Sequence, residues 1–381
     1  MPQIKSMLIY GFAMFAMFFG SGNLVFPLQI GYANGDHWLL GFMGLLITGI
    51  ILPFLGLFVI KLHQGNYQSF FGEAGRLARV VLPFVMLALL GSFGVVPRCI
   101  TVAYGSMDYM IPEMSLVTFS FLFCLAIYMI CLNDQWMVNI LGKWISPILL
   151  IILIILTVTS ISHSPNPTMH PEAREAFTTG FRTGYQTMDL FAAFFFSALT
   201  FAQIQNKMPE KTTSQALIRF AIKSSLIAAG LLAMIYLGFV YLGAHYSFLI
   251  HDTPAESMLP TIALYTMGEK ATKLIGFTML FSCLSTAVAL NNLYARYLCG
   301  LFNLKDNKFY QMLFFTTGIA FVISLLDFRG IAAFLQPILE VFYPGIICLV
   351  LASILLKRYQ HLKMYLFYAV TLITIIYSCL K

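Results

Sequence analysis

The sequence predicts an all-α polytopic membrane protein, and three observations predict it. Hydrophobic residues make up 60% of the chain and charged ones only 10%, whereas soluble domains carry about 25% charged residues. The apolar residues collect into eleven runs of roughly 17–30 residues, long enough to cross a hydrocarbon core of about 30 Å as helices. The first run is interrupted at its middle by Gly20-Ser21-Gly22-Asn23. Lipid cannot satisfy the backbone groups that a break frees, so a break survives only where it lines a cavity or grips something.

The first span runs from Met7 to Ile30, and nothing before Met7 reads as a cleavable signal. Gly20 and Gly22 stand two apart, on roughly opposite sides of a helix, and so make no small-residue packing stripe. The span therefore reads as two half-helices: Met7 to Phe19, about 19 Å long, and Leu24 to Ala33, about 15 Å long. With Asn23 as N-cap, Pro27 takes the fourth helical position, where its missing N–H costs nothing. The second to fifth spans follow at Trp38–Ile60, Val80–Gly105, Met114–Leu132 and Ile140–Ile161. The sixth, Thr178–Gln205, carries a polar stretch from Gly184 to Asp189 about as far from its start as Gly20–Asn23 lies from the start of the first. Transporters built from two inverted repeats of five spans break the first helix of each repeat, and spans one and six hold those positions. Taken alone, the sixth-span stretch also fits ordinary helix packing. The remaining spans are Ala216–Gly243, Ala271–Gly300, Phe309–Leu326, Ile331–Leu356 and Met364–Leu380. The implied organisation is one transmembrane unit over 1–381, with repeats at about 7–161 and 178–356 and an extra C-terminal helix at about 364–380.

Basic residues orient the spans. With the N-terminus in the cytoplasm, fifteen Lys and Arg fall on the inner side, among them Lys61, Arg79, Arg296 and Lys363. Six fall outside (Arg174, Arg182, Lys270, Lys273, Arg329 and Lys381), and Arg98 stays within a span. That is the bias of the positive-inside rule. The net charge of +7 thus belongs to anionic lipid at the inner surface and implies no nucleic acid. The connection from about Ala244 to Lys270 shows no strand alternation and no core of its own, and the one from Ser162 to Phe177 is Pro-, His- and Ser-rich. The seven cysteines lie in or at the ends of spans without CxxC spacing and read as small buried residues. His163, His170, His245 and His251 scatter over outer connections and read as solvated loop.

Ionisable residues within hydrocarbon are costly and mark function. Arg98, Asp189 and Glu340 sit about seven, eleven and nine residues from the outer ends of their spans, or about 10–17 Å deep. One Arg and two carboxylates in one layer would make a gating pair or a proton relay; snorkelling and unrelated packing pairs are the plainer alternative. In the eighth span Ser282, Ser285, Thr286 and Ala289 form a small polar face. Oxygen ligands of that kind suit a hard cation such as Na⁺, although back-bonding to the i−4 carbonyl also accounts for them. A restart at Asn23 aims N–H groups and a positive dipole end at the midplane, suited to a carboxylate. Carbonyls of a broken sixth helix and Asp189 would face an ammonium group, and aliphatic neighbours an apolar tail. The solute that fits is a zwitterion with a hydrocarbon substituent, drawn uphill by a cation bound near the eighth span.

Phe18-Phe19-Gly20-Ser21-Gly22-Asn23-Leu24-Val25-Phe26-Pro27 closely resembles the first-helix motif of the bacterial branched-chain amino acid–cation symporters (the LIVCS family, BrnQ-type carriers). Val96-Pro97-Arg98-Cys99-Ile100-Thr101-Val102-Ala103 resembles the family's third-span Pro-Arg motif, and Gly184-Tyr185-Gln186-Thr187-Met188-Asp189 its sixth-span motif. Cys283-Leu284-Ser285-Thr286-Ala287 and Tyr343-Pro344 resemble those of the eighth and tenth spans. Five motifs in order cover nearly the whole chain. The resemblance implies a LeuT-like fold in the amino acid–polyamine–organocation superfamily and import of leucine, isoleucine and valine with Na⁺ or H⁺ across a bacterial inner membrane, without a cofactor. Carried over, Gly20, Ser21, Gly22 and Asn23 would face the substrate carboxylate, with Thr187, Met188 and Asp189 at the second break. A Na⁺ would lie between the carbonyls of Ala16 and Phe19 and the residues Ser282, Ser285 and Thr286. Four departures stand out: about eleven spans where the family usually has twelve, Ser21 where alanine is common, one proline after the break where two are usual, and Ser285 where threonine is common.

The expected partners are a small amino acid and membrane lipid, and no catalytic chemistry is expected. The alternatives are a carrier or exchanger for another apolar amino acid such as methionine, a polytopic membrane enzyme, or a passive channel. The connections offer no paired-carboxylate or metal-ligand spacing that an enzyme would need, and no filter-like repeat or ring of charges that a channel would need.

Overall fold

The computed structural model describes residues 2–132, 146–162, 164–167, 172–207, 214–356 and 359–380. Helices occupy every expected span: α1 (Pro2–Phe18), α2 (Ser21–Asn34), α3 (Trp38–Leu45), α4 (Leu52–Leu62), α5 (Tyr67–Phe71), α6 (Ala78–Leu90), α7 (Val95–Asp108), α8 (Leu116–Cys131), α9 (Ser146–Ile161), α10 (Ala173–Gln186), α11 (Asp189–Lys207), α12 (Ser214–His245), α13 (Ser247–Ile250), α14 (Met258–Met267), α15 (Glu269–Leu301), α16 (Phe309–Ser324), α17 (Asp327–Leu355) and α18 (Gln360–Leu380). Among the described residues six helical runs are long and apolar enough to cross a membrane, and five shorter apolar helices accompany them. The expected start of the fifth span, Ile140 to Ile145, lies outside the described residues, as do Lys143, Lys211, Lys357, Arg358, Lys381, His163 and His170.

Among the described residues three spans are discontinuous. The first breaks between α1 and α2 and the sixth between α10 and α11, at the places the polar stretches mark. The third was expected to be continuous from Val80 to Gly105, yet it parts between α6 and α7 at Gly91-Ser92-Phe93-Gly94. There Phe93 N donates to Ala88 O (3.1 Å) and Val96 N to Gly91 O (3.3 Å), so the ladder skips to five-residue spacing. Both glycines are pinned by neighbours. A Cβ on Gly91 would come 2.7 Å from the Tyr294 ring, and one on Gly94 2.2 Å from Leu89 O. In the second span a π-helical turn, Leu46–Ile51, joins α3 to α4.

Close glycine contacts fasten several of these helices. A Cβ on Gly180 of α10 would come 1.9 Å from Gly41 O of α3, and one on Gly184 1.9 Å from Thr48 Oγ1. On the far side of α2, Gly31 presses on Val240 O and Gly243 on Leu28 O, at 1.9 and 2.0 Å by the same measure. Buried Lys61 adds a polar clamp, its ammonium donating to Ala221 O (3.1 Å) and Ser225 Oγ (2.5 Å) of α12. Lys363 of α18 pairs with Glu73 at 2.6 Å, tying the eleventh span to the connection after the second.

The 244–270 connection, expected to lack a core, holds α13 and α14. It has none of its own, because Met258, Leu259 and Ile262 bury themselves in the common core of the bundle. His251 is exposed and meets Tyr32 Oη through Nδ1 at 2.7 Å. His245 departs from the solvated-loop expectation: it stacks on Tyr241 at 3.9 Å between ring centroids and bonds Pro165 O.

Candidate functional site

The first break leaves only Phe19 and Gly20 outside the two helices. The restart comes earlier than expected: Gly20, with φ −117° and ψ −162°, is the N-cap, and Ser21 opens α2. Asn23 therefore does not cap the helix, and Pro27 stands at the seventh helical position instead of the fourth. The reason is local. Glycine takes the extended capping conformation without help, which leaves the Asn23 side chain for another task. Its Nδ2 donates to Phe18 O at 2.8 Å, joining the two halves across the break, and to the Asp189 carboxylate at 3.3 and 3.5 Å. Pro27 in turn withholds the N–H that the Asn23 carbonyl would have received. The first-turn amides of α2, from Ser21 to Asn23, have no intrahelical acceptor.

The sixth break is built differently. Thr187 and Met188 separate α10 from α11, and Met188 sits in the left-handed region at φ 56°. The last carbonyls of α10, expected to face an ammonium group, are taken. Gly184 O accepts from Thr187 N and Oγ1, Tyr185 O from Met188 N, and Gln186 O from Arg98 Nη1 at 2.7 Å. That leaves Asp189 as the negative group at the break. It is 3% exposed and held by Asn23 from the first span and by Tyr236 Oη from the seventh, at 3.0 Å.

One cavity of about 20 Å³ is bordered by Gly20, Ser21, Gly22, Asn23, Thr187, Asp189 and Thr286, room for about one water. Leu90, Val95, Ala192, Phe196 and Leu290 supply its apolar wall. The predicted substrate residues thus converge, except that Met188 is fully buried behind the break and places its Cε against Gly94. Two of the wall residues, Leu90 and Val95, flank the third-span break. Cys99 Sγ reaches Ser21 Oγ at 3.4 Å. Sequence reasoning missed Tyr236 and this wall. The Gly91–Gly94 pair was the one available signal for the wall; Tyr236 had none.

Of the expected cation residues, Phe19, Ser282 and Thr286 are brought to the first break. The ladder of α1 ends where Phe19 N donates to Phe15 O, so the last carbonyls of α1 lie outside it. Phe19 O accepts from Ser282 Oγ at 3.0 Å. Thr286 Oγ1 is buried without a partner, and a Cβ on Gly20 would come 2.9 Å from Thr286 Cγ2. Ser285 is half-buried beside it. A dry hydroxyl left unpaired costs about 1–3 kcal/mol, which a cation coordinated there with the carbonyls of Ala16 and Phe19 would offset.

Arg98, Asp189 and Glu340 do not form one cluster. Arg98 is buried under the Phe26 ring, 5.3 Å from its centroid, and no ion pair joins it to Asp189 among the described residues. Glu340 accepts from Gln336 at 3.0 Å and lines a separate cavity of about 180 Å³ with Arg182 and Gln29. Tyr343 stacks on Tyr185, which borders that second cavity, and on Phe191, at 4.5 and 4.7 Å between ring centroids.

A model of branched-chain amino acid transport proteins matches residues 3–381. The chain is similar to the branched-chain amino acid permease BrnQ of Corynebacterium glutamicum, 28% identical over 92% of this chain and 81% of that one. It is similar to the permease BraB of Bacillus subtilis, 28% identical over 94% and 81%. Among solved structures it resembles Mhp1, a nucleobase-cation-symport-1 family transporter, in a closed conformation. The TM-score is 0.65 at 12% identity, covering 92% of this chain and 78% of that one. This last likeness shows the fold, a LeuT-like transporter architecture.

Proposed function

The chain belongs to the family of branched-chain amino acid transport proteins, and from that membership we propose that it imports leucine, isoleucine and valine by symport with Na⁺ or H⁺ across a bacterial plasma membrane. It is a membrane transporter and not an enzyme. In this reading the N-terminus is cytoplasmic, as the excess of basic residues on that side favours, and residues 7–161 and 178–356 are the two repeats.

One observation carries the proposal: two helix breaks 166 residues apart join through Asn23 and Asp189 beside an apolar wall. The first-turn amides of Ser21, Gly22 and Asn23 present partial positive charge to a carboxylate. Asp189 faces the ammonium group, steadied by Tyr236 and Asn23. Leu90, Val95, Phe196 and Leu290 receive the aliphatic tail, each buried CH₂ contributing about 0.8 kcal/mol. The cation sits one helix away, with Ala16 and Phe19 carbonyls, Ser282, Ser285 and Thr286. Because Phe19 of the cation site and Gly20 of the substrate cavity are neighbours in one break, and Gly20 packs against Thr286, loading one shapes the other. Arg98 and Glu340 act toward the outer side, Arg98 by holding the end of α10 in place.

The test is leucine accumulation by the full-length chain in proteoliposomes, first under an imposed Na⁺ gradient and then under a proton gradient, with isoleucine, valine and methionine as competitors. Uphill accumulation under one gradient, competed by isoleucine and valine, is expected. Competition by methionine alone would move the substrate assignment, and flux that never accumulates would retire symport. With Na⁺ as driver, Ser285→Ala combined with Thr286→Ala should raise the half-saturating Na⁺ concentration about tenfold, as loss of ligand oxygens implies; an unchanged value would remove the eighth span from the ion site.

A further inference from the structure

Two spans border the central cavity in the ordinary way. Ala192 and Phe196 of α11 stand four apart, as do Thr286 and Leu290 of α15, and that spacing puts residues on one face of a helix. The third span does otherwise. Its contributions, Leu90 and Val95, stand five apart and on an unbroken helix would point about 140° away from each other. They face one cavity because the helix parts between them: Leu90 is the last residue of α6 and Val95 the first of α7. An unbroken helix would set Gly94 beside Leu90 instead, and glycine has no side chain to offer.

The break is held from three sides. Tyr294 of α15 presses its ring on Gly91, where a Cβ would come 2.7 Å from Cδ1. Ser92 Oγ donates to Thr316 O of α16 at 2.7 Å. Met188, from the sixth break, sets its Cε 3.0 Å from the place of a Gly94 Cβ. All three side chains are buried. The backbone at the two glycines is not helical, with ψ −120° at Gly91 and −82° at Gly94, against about −42° in a helix. Leu90 and Val95 are thus fixed by two glycine joints and the neighbours that clamp them. At about 20 Å³ the cavity holds about one water, so its wall must yield before an aliphatic side chain enters. Phe196 and Leu290 lie within long unbroken helices. Leu90 and Val95 lie at helix ends, where a few backbone torsions absorb a displacement.

We propose that the third-span break sets the length of apolar tail that the carrier accepts, with Leu90 and Val95 as the specificity-determining pair. Tyr294, Ser92 and Met188 are positioning residues that act through that pair. This rests on the transport reading above and deepens it, because it names the part of the site that separates short branched tails from longer ones. The amides of α2 and Asp189 meet the two charged ends whatever the tail. The break therefore governs the choice among apolar amino acids and leaves recognition of the zwitterion to the other two spans.

Uptake of valine, leucine and methionine by the full-length chain in proteoliposomes is compared as ratios within each variant. Val95→Ala deepens the pocket and should shift the methionine-to-leucine ratio about tenfold toward methionine. Val95→Leu fills it and should shift the leucine-to-valine ratio about tenfold toward valine, the scale on which a hydrophobic pocket senses a methylene group. A general loss of packing lowers all three substrates together and cannot move selectivity in opposite directions. Leu90→Ala repeats the test from the other side of the break if Val95→Ala does not fold. Tyr294→Ala frees Gly91 and should shift the ratio as Val95→Ala does, while Tyr294→Phe keeps the ring and should keep the parental ratio. Ser92→Ala, which removes one hydrogen bond, tests the same clamp if Tyr294→Ala does not fold. Parental ratios in the Val95 and Leu90 variants, or an equal loss of all three substrates, would overturn the proposal while leaving transport standing. A parental ratio in the clamp variants would overturn it as well, by showing that the wall selects without the break. Absence of leucine uptake in the parent would instead retire the transport reading.

Discussion

The first and sixth spans both break at the level of the central cavity, but by opposite means. The first breaks at a glycine whose backbone needs no left-handed conformation, and its small residues stand open to the cavity. The sixth breaks at Met188, a bulky residue held at φ 56° and fully buried. A left-handed conformation costs an ordinary residue roughly 1–2 kcal/mol, so surrounding contacts impose it. Thr187 bonding back to Gly184, Arg98 holding Gln186 and Met188 seated on Gly94 are those contacts. The first break is thus written into the local chain, whereas the sixth is enforced by the third span. The difference teaches where damage should appear: in transport when the first break is altered, in stability when the sixth is.

The largest expected effect is at the joint between them. Asn23→Leu removes the donor to both Phe18 O and Asp189 and should reduce leucine uptake about 100-fold or more, as misplacement of a binding group implies, in protein that still inserts. Near-parental uptake would mean that the two breaks work independently. Gly20→Ala comes next. Its methyl would crowd Thr286 at 2.9 Å and should lower uptake about tenfold with little change in melting temperature; a loss of stability matching that of a sixth-break variant would erase the contrast. The smallest effect concerns Met188. Met188→Ala and Met188→Gly both lose the packed thioether, but glycine also relieves the left-handed strain, so Met188→Gly should be the more stable by about 1 kcal/mol in detergent unfolding. Equal stabilities would show the sixth break to be unstrained.

What the sequence revealed follows the same division. Spans were legible because lipid imposes length and apolarity on each, and the first break because Gly20 and Gly22 cannot belong to a packing stripe. The placement of Asn23 was misjudged because Asn is a good cap in isolation, yet glycine before Ser21 already served and a carboxylate 166 residues away competed for the amide. The third-span break lay in plain view as Gly91 and Gly94, but isolated glycines are common in membrane helices. Only Tyr294 and Leu89 pressing on them reveal the need. Tyr236 was invisible, since a tyrosine in an apolar span announces no partner. The hydroxyl face of the eighth span was the most legible feature: Ser282 and Thr286 stand four apart on a single unbroken helix, where periodicity alone fixes which groups point together.

The glycine contacts of α2, α3, α10 and α12 have one more consequence. The backbones of these four helices touch with almost no side chain between them, so they resist sliding and can only tip as a block. Asn23 and Tyr236 ride on that block, and Asp189, the first residue of α11, is hydrogen-bonded to both, while Arg98, Ser282 and Thr286 stand on its neighbours. A tilt of the block that carried the start of α11 with it would leave the acid its two donors and spare it rehydration; the contacts left to open and close would be those with α7 and α15.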